Sequence, residues 1–278
     1  MAINKSVSKF GVSNPDSGIG KVMRWVGELP QRLAIILLFL ALWEIAPRLN
    51  LVDAMYIPPF SIVISQFIDL LLDGTLMPHI VASLQRAVAG YLIAVVIAIP
   101  LGFLVGWYGI VERYLDPFLM TFRQIPILAL FPIFILLFGI GENSKILLIA
   151  MGVFWSVFMN TVSGVKSVDQ LFIKSARSMQ TSSVDMFRKV VAPASIPYIF
   201  TGLRYASTIA LIVLVSAEMI GAQSGLGYIS QNWMMMFRIP EMYSAIIALT
   251  LIGLASNYLL VGIEKRVSHW KENRDNAI

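Results

Sequence analysis

The chain contains apolar segments that are long enough, or nearly long enough, to cross a lipid bilayer. A helix needs about 20 predominantly apolar residues to span the roughly 30 Å hydrocarbon core. Six segments approach this length: 32–47, 86–107, 117–139, 144–160, 195–220 and 242–261. Charged residues make up only 13% of the chain, about half of the usual share. Since a soluble bundle does not need apolar surface all round its helices, we predict an all-α, polytopic membrane protein with six transmembrane helices.

The cations are distributed unequally across these segments. With the N-terminus in the cytoplasm, 17 of the 21 Lys and Arg residues lie inside or at inner helix ends. An excess of cations marks the cytoplasmic side. We therefore predict a cytoplasmic N-terminal tail (1–30), a transmembrane domain (31–266) and a cytoplasmic C-terminal tail (267–278). The net charge of +5 then reflects topology and does not indicate nucleic-acid binding.

The loop between the fourth and fifth segments, residues 162–193, is polar but patterned. The spacing predicts a first amphipathic helix with one face formed by Leu171, Phe172, Ser175, Ala176 and Met179. Ser182 stands three residues before Asp185, a pattern that starts helices. A loop this charged cannot lie in hydrocarbon, so we expect a pair of short helices presented to a partner.

This loop resembles the cytoplasmic EAA loop of ABC importer permeases, with the pattern E-A-A-x3-G-x9-I-x-L-P. The matching positions here are Lys174, Ser175, Ala176, Gln180, Val190, Ala192 and Pro193. If the left-handed turn of the family glycine is kept, Gln180 costs about 1 kcal/mol. Four further stretches are similar to the sulfonate, taurine, nitrate and bicarbonate branch: YIPPFSIV, LQRAVAGYLIAVVIAIPLGFLVG, LFGIGENSKILLI and SAEMIGAQSGLGYI. LFGIGENSK is nearer to the sulfonate and taurine members.

The resemblance implies a type I ABC importer permease-like fold in a bacterial inner membrane, with cytoplasmic coupling helices in residues 162–193, the coupling loop. It implies a homodimer of permeases, two cytoplasmic ABC ATPase subunits that hold ATP and Mg, and a periplasmic or lipid-anchored substrate-binding protein. Alternating access would carry a small anion: an aliphatic sulfonate or taurine first, with nitrate or bicarbonate as the alternative. The residues expected to couple to the ATPase are Ser175, Ala176, Met179, Gln180, Thr181 and Phe187.

Polar residues within the apolar segments are candidates for the substrate path, because hydroxyls and amides donate hydrogen bonds to an anion. They are Gln124, Ser156, Asn160, Thr208 and Ser216. Each has a structural alternative: a hydroxyl bonds its own helix, or an amide ties two helices. Arg123 is either an anion ligand or a side chain that snorkels to water. Glu218 is expected to cap a helix or to pair at the outer edge, with Arg238 or Lys145 as the candidate partners.

Two further patterns concern packing. A stripe of small residues in the second segment consists of Gly90, Ala94, Ala98, Gly102 and Gly106. We predict that it lets another helix approach closely, with a pore lining as the alternative. Residues 61–72, with Ser61 as N-cap and Gly74 after the end, predict an amphipathic helix on the outer face. This helix lies against lipid or the bundle, or contacts a delivery protein.

Enzyme chemistry is not indicated. The chain has no cysteine and two histidines, His79 and His269, and neither histidine has a metal-ligand companion at a sensible spacing. No phosphate-binding loop of the form G-x-x-x-x-G-K-[ST] occurs, so we expect no catalytic, cofactor or metal site. A rival class, an ATPase-independent channel or ion-driven carrier, requires buried, paired carboxylates in the spans, and these are scarce. A membrane-embedded enzyme requires an acidic or histidine cluster that the sequence lacks.

Overall fold

The computed structural model describes residues 34–267, and the regular structure in this range is helical. The predicted tails lie outside the described residues, except for Val267. The helices are α1 (34–48), α2 (Phe60–Leu72), α3 (Met77–Trp107), α4 (Gly109–Phe122), α5 (Phe131–Phe138), α6 (Glu142–Lys166), α7 (Gln170–Ser178), α8 (Ser183–Met186), α9 (Ala192–Gly221), α10 (Leu226–Met235) and α11 (Ile239–Val267). A 3₁₀ turn (Ile127–Leu130) precedes α5, and a π turn (Phe187–Val191) joins α8 to α9.

Four helices in the described range are long and apolar enough to cross a membrane: Met77–Trp107, Glu142–Lys166, Ser183–Gly221 and Ile239–Val267. Each contains one of the predicted segments or most of it. The predicted third span (117–139) is not one helix, because α4 and Ile127–Phe138 meet at a bend of 83°. Pro126 explains the break, since its fixed φ and missing N–H interrupt the hydrogen-bond ladder. Of the predicted first span (32–47), the structure describes residues 34–47, all of which belong to α1.

The centre of the fold is α6, which packs between α3 and α9. The small residues of α3 face α6: a Cβ added at Gly102 would lie 2.6 Å from the Cβ of Thr161, and one at Gly106 would lie 2.8 Å from the Cβ of Val165. The predicted packing role of this stripe is therefore confirmed. On the other side of α6, Gly202 of α9 brings the two backbones equally close.

Residues 34–63 form a separate local unit in which a carboxylate starts α2. Glu44 accepts hydrogen bonds from the backbone N–H and the hydroxyl of Ser61, both at 2.9 Å. An acidic group is favourable there because the first N–H groups of a helix are unpaired. The predicted helix over 61–72 is present, although it begins at Phe60, and Gly74 follows it with a φ of 78°.

The bundle has two ends. The loop end carries the coupling loop, where Val165, Val168 and Val191 form a small buried cluster. The far end carries residues 218–227, where Gly225, with a φ of 116°, leads into α10. There α10 packs on α11 through Leu226, Ile229, Trp233, Ala245 and Ala248.

Candidate coupling loop and transport cleft

The first helix of the coupling loop, α7, has well-defined ends. At its start the carboxylate of Asp169 accepts the N–H of Leu171 at 2.8 Å. At its end Gln180 has a φ of 55°, and the N–H groups of Gln180 and Thr181 donate to the carbonyls of Arg177 and Ala176. This is the hydrogen-bond pattern of a Schellman turn, in which glycine is usual. The left-handed geometry is thus kept, with glutamine in the strained position.

The second helix of the coupling loop, α8, is not a separate helix. It begins at the predicted cap: the N–H of Asp185 donates to the Ser182 hydroxyl at 3.1 Å. It then passes through Phe187–Val191 into α9 with no break, so that Ser183–Gly221 is one helix of 39 residues. A continuous helix transmits displacement as a rigid element. Residues 183–221 thus connect the coupling loop to the rest of the bundle in one helix, with a π turn at Phe187–Val191.

Two of the predicted coupling residues face the bundle. The ring of Phe187 packs edge-on against Phe103 and Trp107 of α3, at centroid distances of 5.2 and 5.7 Å. Ala176 is buried. Phe187 is half-buried, so part of its ring packs within the chain, and the expectation that it also contacts an ATPase stays a prediction. Sequence periodicity identified it as apolar but not which surface it covers.

Other residues of the loop are exposed. Met179, Leu171 and Val184 are 80%, 65% and 67% exposed, and together they form what we call the loop patch. Ser175 and Gln180 are also exposed, and Thr181 is half-buried. Large apolar side chains on an otherwise polar loop are typical of a protein interaction surface.

Three of the five predicted path residues line one open cleft of about 510 Å³, here called the cleft. The cleft lies where the bend after α4 meets α6 and α9. Its lining residues are Arg123, Gln124, Gly152, Trp155, Ser156, Met159, Asn160, Tyr205 and Ile209. Those from α6 follow the spacing i, i+3, i+4, i+7, i+8 and therefore share one face. Sequence spacing alone does not bring the distant Gln124 to this face.

The two remaining path residues, Thr208 and Ser216, do not line the cleft. At 100° per residue they fall within about 60° of Tyr205 around α9, on a stripe that runs from the cleft toward the far end. The hydroxyl of Ser216 donates to the carbonyl of Ile212 in its own helix at 2.9 Å. A hydroxyl that bonds a carbonyl of its own helix is the alternative to a path residue given in the sequence analysis.

Hydrogen bonds in the cleft partly occupy its donors. The hydroxyl of Ser156 donates across to the carbonyl of Gly202 at 3.3 Å, which ties α6 to α9. The amide of Asn160 donates to the carbonyl of Ser156 at 2.8 Å. Because that amide nitrogen carries two hydrogens, one remains for another acceptor.

The charge in the cleft is positive. Arg123 is the only charged residue among the described residues that line it, and the structure records no ion pair for its guanidinium within 34–267. The six glutamates in this range each pair with a cation elsewhere: Glu44, Glu112, Glu142, Glu218, Glu241 and Glu264. The cleft is therefore suited to an anion.

The structure contains a second polar cluster, at the far end, that the sequence analysis does not predict. Arg86 is 4% exposed, and its five N–H groups donate to Glu142, Glu218 and Ser224. Glu218, fully buried, lies 2.7 Å from the Arg86 guanidinium and also accepts from Ser83 and from the N–H of Gly227. We call Ser83, Arg86, Glu142 and Glu218 the far-end cluster.

The far-end cluster corrects the predicted partner of Glu218. Arg238 pairs with Glu241, and Lys145 pairs with Glu142. The true partner, Arg86, lies 132 positions away in the chain. The available signal was the position of Arg86 at the start of an apolar segment, where a cation requires a partner or water. The cluster joins α3, α6 and α9 to residues 224–227.

The fold and this arrangement define a helical membrane protein with an anion-suited cleft linked by one helix to an exposed loop patch. Residues 94–271 match the family described as "Binding-protein-dependent transport system inner membrane component", and the chain belongs to this family.

Relatives and a solved structure agree with this assignment. The chain is 33% identical to the putative aliphatic sulfonates transport permease protein SsuC of Bacillus subtilis (strain 168), over 84% of this chain and 85% of the relative. It is 31% identical to the taurine transport system permease protein TauC of Escherichia coli (strain K12), over 89% and 94%. A structure titled "Inward facing conformations of the MetNI methionine ABC transporter" has a TM-score of 0.59 at 18% identity, over 69% of this chain and 95% of that chain. It shows a shared fold.

Proposed function

We infer that this chain is the membrane-spanning permease subunit of an ATP-driven importer for a small anion, with an aliphatic sulfonate or taurine as the first candidate. The observation that carries the proposal is the continuous helix Ser183–Gly221. One end of it lies in the coupling loop, and Tyr205 and Ile209 farther along it line the cleft. The names of the two relatives support the substrate class.

The proposed assembly contains two copies of this chain, two cytoplasmic ATPase subunits and an external substrate-binding protein. The loop patch is the surface offered to the ATPase, since Met179 and Leu171 have apolar side chains exposed on a polar loop. The excess of cations around the coupling loop supports its cytoplasmic placement, together with both termini. Energy enters through the ATPase, so this chain is a transport subunit and not an enzyme.

The proposed cycle is alternating access. ATP binding draws the ATPases together and displaces α7 and α8. Because α8 is continuous with α9, the wall of the cleft moves with them and its opening changes from one side of the membrane to the other. The binding protein delivers the anion to the outward-open form, and ATP hydrolysis resets the assembly. The bend between α4 and α5 supports this cycle, since broken helices at a site accommodate two arrangements.

Nitrate or bicarbonate is the second candidate within the same branch, because both are small anions that a guanidinium and amides can bind. A channel or ion-driven carrier is the rival from another class. Among residues 34–267, the buried carboxylate of Glu218 is the feature that favours it. Hydrogen-bond donors from α3 and from residue 227 hold this carboxylate in place, however, which supports a structural role for Glu218.

The proposal is tested in proteoliposomes that contain this chain, its ATPase and its binding protein. Uptake of labelled taurine, butanesulfonate, nitrate and bicarbonate is measured with and without ATP and the binding protein. We expect uptake of a sulfonate or taurine that requires both. Uptake that persists without the ATPase would support a channel or carrier, and uptake of none of the four anions would contradict the substrate class.

A further inference from the structure

The cleft has two chemically different walls. Arg123, Gln124 and Asn160 provide polar groups, whereas Trp155, Met159 and Ile209 provide apolar ones. Resting on the function proposed above, we propose that the cleft is a transit site for an amphipathic anion, with Arg123 holding the charged head and the wall of Trp155, Met159 and Ile209 holding a short alkyl tail. The permease then adds its own selection to that of the binding protein.

Arg123 is placed to bind an oxoanion. It is the residue at which α4 ends, beside the 83° bend, and it lines the cleft. It is exposed, and within the described residues no carboxylate neutralises it. A guanidinium offers a planar fork of N–H groups that matches the oxygen atoms of an oxoanion. Snorkelling to water and anion binding are compatible in an open, wet cleft.

The apolar wall is built for an alkyl group. The Trp155 ring is held edge-on by Phe154, at a centroid distance of 5.3 Å, and by Phe158, at 6.3 Å. Its Nε1 is buried and without a hydrogen-bond partner among the described residues, so the part of the ring that faces the cleft is carbon. The thioether of Met159 is flexible and adapts to tails of different length. The cleft volume of about 510 Å³ lies in the usual range of ligand pockets, roughly 300–1,000 Å³.

These two walls predict that the binding affinity depends on the length of the alkyl group of the anion. Each buried methylene group strengthens binding by up to about fourfold. Butanesulfonate should therefore bind more tightly than methanesulfonate, which has three fewer methylenes, by up to about 60-fold if all three are buried. Nitrate, with no apolar part, should bind more weakly than butanesulfonate. An anion site without an apolar wall would bind the two sulfonates equally.

The test uses the purified complex of this chain with its ATPase, without the binding protein, and isothermal titration with methanesulfonate, butanesulfonate and nitrate. Arg123→Gln should weaken binding of all three by about tenfold or more, because a charged hydrogen-bond donor is lost. Arg113→Gln is the matched control, since Arg113 is an exposed cation on α4 that does not line the cleft. Met159→Ala should reduce the preference for butanesulfonate and leave methanesulfonate binding unchanged.

Equal affinities for the two sulfonates, wild-type binding by Arg123→Gln, or no binding to the wild-type complex would each overturn the transit site. The same variants are then assayed for ATP-dependent uptake with the binding protein. Wild-type uptake that is insensitive to Arg123→Gln would remove the transit site and leave the proposed importer intact. Absence of ATP-dependent uptake in the wild type would instead count against the importer itself.

Discussion

Replacing Glu218 with alanine should destabilise the protein more than removal of any exposed charge. The carboxylate of Glu218 is fully buried and accepts hydrogen bonds from the hydroxyl of Ser83 at 2.8 Å, from Arg86 at 2.7 Å and from the N–H of Gly227 at 2.9 Å. Alanine leaves the N–H of Gly227 without its acceptor, and the guanidinium of Arg86 keeps only Glu142 and Ser224.

The size of the stability loss in Glu218→Ala follows from the burial of the Glu218–Arg86 ion pair. Removing one partner of a buried ion pair costs about 3–5 kcal/mol, because the other charge stays buried without compensation. Glu142 still faces Arg86, so we expect the lower part of this range. For a chain of this size, such a loss lowers the melting temperature by on the order of 10 °C. Glu112→Ala is the control: its ion pair with Lys166 is exposed, and its loss should cost less than about 1 kcal/mol.

The assay is the fraction of purified protein that remains monodisperse in detergent after heating, measured by size-exclusion chromatography. Arg86→Ala and the double variant complete a mutant cycle, in which contacting residues should show a coupling of about 0.5–3 kcal/mol. Equal melting temperatures for Glu218→Ala and Glu112→Ala would refute the reasoning. Strictly additive effects of the Glu218 and Arg86 substitutions would show that the two residues do not act as a unit.

Three further predictions concern packing and the coupling loop. Gly102→Ala should lower thermal stability by about 1–3 kcal/mol, because its Cβ would lie 2.6 Å from that of Thr161. Gly262→Ala has open space inside α11 and should raise stability by up to about 1 kcal/mol through helix propensity. Equal effects of the two substitutions would contradict the close packing. Gln180→Gly should raise stability by up to about 1 kcal/mol, because glycine adopts the left-handed backbone conformation of residue 180 without strain. Ser178→Gly in α7 is the control and should lower stability, since glycine is a poor helix former. A loss of stability at both positions would count against strain at residue 180. Met179→Asp should leave the stability of the permease alone within about 0.5 kcal/mol of wild type but reduce its co-purification with the ATPase. Phe187→Ala should lower the stability of the permease alone by about 2 kcal/mol, because its ring packs on α3. Normal stability of Phe187→Ala with reduced co-purification would show that its main contact is with the ATPase.

Features with a local or periodic signal were predictable from sequence. The small-residue stripe of α3 follows a four-residue repeat, and its packing against α6 was confirmed. The start of α8 at Ser182 was predictable because capping depends on a few adjacent residues, whereas the left-handed turn at Gln180 was an open alternative that the structure decides. Pro126 interrupts the hydrogen-bond ladder for a local reason, but the 83° bend that divides the predicted third span is visible only in the structure.

Features that depend on contacts between distant segments were not predictable. Nothing near Arg86 indicates that its partner is Glu218, because that choice depends on how α3 and α9 pack. The same limitation explains Phe187, whose apolar character fits both an external partner and the aromatic pair on α3. The meeting of Gln124 with Ser156 and Asn160 in one cleft likewise depends on the bend after α4.

The most direct test of the account is whether nucleotide at the ATPase changes access to the cleft. The chain has no cysteine, so a single cysteine introduced at Tyr205 reports without background. Its rate of labelling by a soluble thiol reagent is measured in the reconstituted complex with and without a non-hydrolysable ATP analogue. A change in rate that is lost in Met179→Asp is expected if displacement of the coupling loop moves α9. Equal rates in both nucleotide states, with the analogue shown to be bound, would contradict the proposed coupling.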